Sequence, residues 1–163
     1  MKKITKLLIL LFTVTLLNCS FVYAAGSSDS GNSGGNEENL YKKGKQLVYR
    51  AKKLEKKNKK EKAEKLYLKA LNKFKKAYSK NKENADILNY LGFTLRKTGS
   101  LEEAEVFYLK GLEIDAGHLG INEYLGELYV QTNRIELAKQ RLGVLNGCNC
   151  EEYEELKELI ENK

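Results

Sequence analysis

Few residues in this chain of 163 could do covalent or acid–base chemistry: three cysteines, one histidine and 22 acidic residues are the raw material. Cys148 and Cys150 stand one residue apart, and Cys19 lies far away near the N-terminus. A disulfide across a single residue is feasible but closes a very small loop, so by the loop-entropy argument it would add only on the order of 1 kcal/mol. The same two residues could instead be free or regulatory thiols. A helix starting after Asn149 would put Cys150 in its first turn, where thiolate is favoured, although Glu151, Glu152, Glu154 and Glu155 oppose that charge. Metal binding by two thiols would need further ligands, and His118 is the only histidine. The redox-active C-x-x-C spacing is absent. One histidine without a supporting motif cannot complete a Ser/His or Cys/His pair. Carboxylates cluster at Glu102, Glu103 and Glu105 and again from Glu151 to Glu155, but on solvent-facing helix positions they are surface charge first. The Gly-rich stretch precedes no strand and makes no phosphate loop. The expectation is a protein with no catalytic residues, no cofactor and no metal.

The elements that would position side chains are helices. Over 85–118, Leu88, Leu91 and Leu95, then Ala104, Tyr108, Gly111 and Leu112, recur at three and four residues. That spacing makes one apolar stripe on each of two helices. Gly92, Ala104 and Gly111 let the pair approach closely, and Gly99 stands in the turn between them. Such a hairpin cannot bury its own stripe and must stack on a neighbour. A second copy follows: Leu125, Gly126 and Tyr129 repeat Leu91, Gly92 and Leu95, Asn133 replaces Gly99, and the second helix is shorter. A degenerate copy precedes, with Leu47, Ala51, Leu54, Asn58, Ala63, Tyr67 and Ala70 in register and its second helix running on through Phe74, Ala77 and Tyr78. The sequence contains no proline to break a helix. Ser100, Asn58, Asn133 and Asn84 are the expected helix caps. The tail 151–162 puts Tyr153, Leu156, Leu159 and Ile160 on one face and mostly Glu on the other, as a capping helix requires.

Position by position, 85–118 resembles a tetratricopeptide repeat (TPR). The resemblance extends to repeats at about 44–84, 85–118 and 119–150 with a capping helix at 151–162. It implies an all-α helix-turn-helix solenoid of about three repeats, spanning 37–163. It also implies a concave groove, lined by the first helix of each repeat, that binds a peptide or protein segment. Carried onto this chain, the groove residues are Tyr49, Lys52, Asn89, Tyr90, Phe93, Arg96, Tyr124 and Glu127. Tyr49, Tyr90 and Tyr124 share one repeat position. They would either form a tyrosine ladder for a peptide backbone or pack between adjacent first helices. Some TPR domains hold a terminal carboxylate in a Lys/Asn clamp. Lys52, Asn89 and Arg96 offer parts of one, but Glu123 and Glu127 stand where the clamp needs cations or amides, so the pattern is incomplete.

Lys2, Lys3 and Lys6 precede the apolar run Leu7–Leu17, and Val22-Tyr23-Ala24 supplies small residues for cleavage. This reads as a secretory signal peptide, 1–24, cut after Ala24. The run is short for a membrane span of about 20 residues. The alternatives are a lipoprotein anchored at Cys19, within Leu16-Leu17-Asn18-Cys19, or an uncleaved anchor. Residues 25–36 are rich in Gly, Ser and Asn and read as a disordered linker. A periplasmic or secreted bacterial protein is expected, and the abundance of Lys and Asn agrees.

Net charge is +7 overall but divides unevenly. From Glu37 to Asn84 there are 18 Lys+Arg against 6 Glu, and from Ala85 to Lys163 there are 8 Lys+Arg against 15 Asp+Glu. The basic half is either a solvated helix surface or a patch for an anionic partner. Head-to-tail homo-oligomers, or weak contact with an anionic membrane or glycan surface, would follow from the patch. Nucleic acid is not expected: no reading module is visible and the charge of the basic half is carried by Lys, with Arg50 its only arginine. The expected function is a non-catalytic interaction scaffold or assembly adaptor in the bacterial envelope. The alternative is a structural protein that self-associates or attaches through its basic half.

Overall fold

The computed structural model describes residues 33–163; the expected signal peptide, Cys19 and most of the expected linker lie outside the described residues. Seven α-helices and no strand occur among those described. They are α1 (Ser33–Glu55), α2 (Lys60–Tyr78), α3 (Ala85–Lys97), α4 (Leu101–Ile114), α5 (Leu119–Gln131), α6 (Ile135–Leu145) and α7 (Glu151–Glu161). The first six form three antiparallel pairs. α3 lies between α1 and α5, and α7 closes over α5 and α6. This is the all-α solenoid that the apolar spacing predicts. No described helix is long and apolar enough to cross a membrane.

Small residues set the pairing distances. A Cβ on Gly92 would lie 2.5 Å from the Tyr108 ring, and one on Gly126 would lie 2.4 Å from Leu156. The first pair repeats this arrangement and extends it. Gly44, seven residues before Ala51, faces the ring of Phe74, seven residues after Tyr67. Two extra turns on each helix therefore keep their own small-against-aromatic contact, which accounts for the residues separating the first and second repeats. The buried side chains form two clusters. Val48, Tyr67, Phe74, Ile87 and Leu91 centre the first, and Tyr108, Ile121, Leu125, Leu128 and Leu156 centre the second.

Several local expectations are corrected. α1 begins at Ser33, inside the segment expected to be linker. Its first turns are tied to the α2–α3 loop, where Asn81 and Asn84 each donate a side-chain N–H to Glu37 at 3.4 Å. Asn84 does cap α3, accepting from the Ile87 amide at 3.1 Å. Ser100 precedes α4 but makes no side-chain cap bond. Asn58 and Asn133 are not caps. They adopt φ of 58° and 60°, the left-handed turn conformation that Gly99 adopts at 88°. Asparagine tolerates that region better than other non-glycine residues, so it replaces the turn glycine. His118 caps α5, its Nδ1 accepting from the Ile121 amide at 3.2 Å.

Candidate functional site

α1, α3 and α5 are the first helices of their pairs, and their side chains enclose a cavity of about 390 Å3 lined by Lys45, Gln46, Val48, Tyr49, Lys52, Tyr90, Phe93 and Tyr124. Its floor is aromatic. Phe93 is 2% exposed, with its centroid 4.9 Å from Tyr124 and 5.8 Å from Tyr67. Tyr90 stacks on Phe74 at 5.1 Å and meets the edge of Tyr41 at 5.6 Å. Burial, then the Asp86 charge, pushes the Tyr90 phenol above its ordinary pKa, so its hydroxyl stays protonated and able to donate.

The rim carries cations. Lys52 Nζ donates to the Tyr124 hydroxyl at 3.3 Å and lies 5.0 Å from the centroid of Phe93. Lys45 Nζ lies 5.3 Å over Tyr41 and 5.6 Å over Tyr90. Neither ammonium pairs with a carboxylate among the described residues, and both side chains are exposed. Their charge is held by ring faces, worth about 0.5–1 kcal/mol at exposed sites, and for Lys52 by the Tyr124 hydroxyl as well, and remains available to an anion. Lys97 differs, since it pairs with Glu55 at 2.9 Å, and Tyr67 donates to the same carboxylate at 2.8 Å.

The three tyrosines do not form a ladder. Tyr49 is 61% exposed with Lys53 over its ring at 4.4 Å, Tyr90 belongs to the Tyr41–Phe74 stack, and Tyr124 belongs to Phe93. The reason is geometric. Tyr90 and Tyr124 each meet a ring of the preceding first helix, Tyr41 on α1 and Phe93 on α3, whereas Tyr49 lies on α1, the first of the described helices. The structure nevertheless brings Tyr49, Lys52, Tyr90, Phe93 and Tyr124 around one cavity. Arg96 and Glu127 are joined in an ion pair at 2.7 Å, with Arg96 nearly buried beside the Tyr108 hydroxyl. Arg96 is thus committed within the fold, which removes it from any carboxylate clamp.

A second, polar cavity of about 430 Å3 adjoins the first through Lys45, Tyr90 and Tyr124. Asp86, Asn89, Asp115, His118, Glu123 and Glu152 contribute to its walls. Asn89 is 6% exposed, and its Oδ1 is buried without a hydrogen-bond partner. Glu123 is 4% exposed. Burial, a hydrogen bond to Glu155 and the charges of Glu127, Glu155 and Glu152 push its carboxyl up to about 9. Carboxylate oxygens of Glu123, Glu127 and Glu155 lie within 4.8 Å of one another. Arg96 on Glu127 and the proton on Glu123 relieve that crowding of charge. Cys148 and Cys150 are joined by a disulfide in the loop before α7, with their Cα atoms 5.2 Å apart.

Sequence reasoning did not single out Tyr41 or Phe74 as supports for Tyr90. Their signal was present, because Leu40, Gly44, Leu47, Val48 and Ala51 continue one helical stripe back past the expected start of the repeat. Asp115 was also missed, because the loop holding it faces the groove only once α4 and α5 are folded.

Comparison with known proteins agrees with this geometry. Residues 85–118 match the tetratricopeptide repeat family model. No curated protein sequence matches the chain. Among solved structures, the TPR domain of Arabidopsis OM64 superposes with a TM-score of 0.63 at 16% identity, covering 80% of this chain and 98% of that one. The second TPR domain of human RPAP3, solved with the HSP70 peptide SGPTIEEVD, gives 0.51 at 18% identity, covering 78% and 99%. The Yersinia enterocolitica type III secretion translocator chaperone SycD gives 0.51 at 18% identity, covering 78% and 88%. Residues 85–118 thus match a tetratricopeptide repeat, and the described helices together have the fold of a tetratricopeptide-repeat domain.

Proposed function

We propose that this chain is a non-catalytic interaction domain, a scaffold or assembly adaptor, that takes an extended segment of a protein partner along α1, α3 and α5. The observation that carries the reading is the 390 Å3 cavity, with an aromatic floor and two ammonium groups, Lys45 and Lys52, that pair with no carboxylate among the described residues. Concave apolar sites with a few convergent polar groups are where ligands bind. That a human TPR domain of the same fold was solved holding a peptide supports the reading. The signal-like N-terminus supports action in a bacterial envelope, as a periplasmic, secreted or Cys19-tethered protein. Tyr49 and Lys52 are the residues to test, because both are exposed and can be removed without opening the core. Crosslinking in an envelope extract should capture a discrete protein with the wild type and lose it with Tyr49→Ala/Lys52→Ala. Equal capture by both forms would sink the groove reading.

A second reading rests on the α1–α2 turn. Lys53, Lys56, Lys57, Lys59, Lys60 and Lys62 are all exposed there. They could hold an acidic end of another copy or an anionic envelope surface. Contact through these lysines weakens steeply as salt rises past the point where the Debye length falls to about 10 Å. Capture that is lost with salt but indifferent to Tyr49→Ala/Lys52→Ala would favour this second reading.

A further inference from the structure

The two ends of the helix stack carry rows of opposite charge. Each first helix after α1 lies between two others, α3 between α1 and α5, and α5 between α3 and α7. Among the described helices, α1 packs on α2 and α3 alone. Its exposed side carries Lys43, Arg50, Lys53 and Lys57. Their spacing of seven, three and four residues puts them in one row along the helix. Lys57 follows the end of α1, but the row holds, because the amides of Lys56 and Lys57 still bond back to the Lys52 and Leu54 carbonyls at 3.1 Å. At the other end α7 packs on α5 and α6, and its Glu151, Glu154, Glu158 and Glu161 are all exposed at a spacing of three, four and three. No ion pair among the described residues includes any of these eight side chains. Lys53 rests on the Tyr49 ring at 4.4 Å. Like charges at helical spacings of three and four repel, so each row carries a cost that a row of opposite sign would relieve.

We infer that the exposed face of α1 seats α7 of a second copy of this chain, so that copies associate head to tail. This rests on the second reading above, contact through the basic end, and names its occupant. The match is one of charge and of pitch. Arg50, Lys53 and Lys57 extend over about 10.5 Å at 1.5 Å per residue, and Glu151, Glu154 and Glu158 cover the same length with the same spacing. A helix laid along α1 therefore sets carboxylates beside cations. α7 suits that seat because its apolar side is already used. Leu156 is fully buried against Gly126, which leaves the glutamate side to a partner. The two rows lie on different helices, so one copy uses α1 and its neighbour uses α7. Such a contact is heterologous and extends into longer assemblies unless its rotation closes a ring. Exposed ion pairs each contribute little, so the association is weak and sensitive to salt.

The test is sedimentation velocity of the full chain over a concentration series at low salt and at about 1 M, where the Debye length is about 3 Å. At low salt the average mass should rise with concentration, and the association constant should fall about tenfold or more in high salt. Arg50→Glu/Lys53→Glu/Lys57→Glu and Glu154→Lys/Glu158→Lys/Glu161→Lys should each be monomeric alone. Mixed together they should associate again, because the reversed α1 of one meets the reversed α7 of the other. Contacts of α1 with α1, or of α7 with α7, would give no such rescue. Circular dichroism reads the helix content of each variant, and Gln at the same positions, expected to weaken association, replaces any reversal that lowers it. A wild type that stays monomeric at low salt, association that survives either reversal, or a mixture that stays monomeric would overturn the inference. A monomeric wild type that binds phosphatidylglycerol vesicles, and loses them on reversal of the α1 row, would leave the basic-end reading standing with a membrane as occupant. A monomeric wild type that binds no such vesicles would overturn both.

Discussion

Replacing Glu123 by Gln should stabilise the protein at neutral pH and leave it nearly unchanged in acid. Glu123 sits on α5 at 4% exposure, and the charged groups facing it are Glu127 on its own helix and Glu155 and Glu152 on α7. Burial first, then the hydrogen bond to Glu155 and the neighbouring carboxylates, raise its carboxyl from 4.5 to about 9. The folded protein therefore binds a proton here that the unfolded chain releases above pH 4.5. Stability from this group is fully present below that value, falls as pH rises, and is gone above the folded value. At pH 7 the gap of 2.5 units corresponds to about 3 kcal/mol, an upper bound because side chains and water relax around the charge. Gln carries no proton to lose and can donate the same hydrogen bond to Glu155. Urea denaturation of both forms at pH 4, 5.5, 7 and 8.5 measures the difference directly and cancels the other titrating groups. The gap should grow with pH by up to about 1.4 kcal/mol per unit. A constant difference between the two forms from pH 4 to 8.5 would refute the reasoning, since Glu123 would then bind no excess proton when folded.

Gly92→Leu should destabilise strongly, by about 3 kcal/mol or more, because even a Cβ meets the buried Tyr108 ring at 2.5 Å; an unchanged melting temperature would contradict the packing. Leu156→Ala should cost about 2–5 kcal/mol and preferentially loosen α7, since Leu156 is fully buried against Gly126. Amide hydrogen exchange along α7 would show this, and uniform exchange across all helices would not fit. Asn84→Ala should cost about 1 kcal/mol through the lost cap on the Ile87 amide, read as a lowered denaturation midpoint. Reducing the Cys148–Cys150 disulfide should shift stability by no more than about 1 kcal/mol because the loop is so short; melting with and without dithiothreitol checks it.

The solenoid was legible because its determinants are local. Gly92, Ala104, Tyr108 and Gly111 in register with Leu88, Leu91 and Leu95 describe two stripes that can be satisfied only by a close helix pair and its neighbours. The Gly99, Asn58 and Asn133 turns were locatable for the same reason, although the two asparagines turn the chain instead of capping it. The first pair was harder to place. Its extra turns shift Gly44 and Phe74 into contact, and Tyr41 falls before the point where the repeat pattern begins.

Side-chain commitments were not legible in the same way. Arg96 and Lys52 look equally available to a ligand in sequence, yet Arg96 is taken by Glu127 while Lys52 rests on rings. Tyr49, Tyr90 and Tyr124 look equivalent, yet each meets a different environment. Helix period and small-residue spacing act within a few residues, so the sequence by itself determined the helices, their pairing, the turn positions and the split of charge between the halves. Which polar groups find partners, which cavity each tyrosine lines, and that Asp86, Asp115 and Glu152 share a wall, depend on contacts between helices far apart in the chain. Those contacts are fixed by the crossing of α1, α3, α5 and α7, and only the tertiary structure decides them.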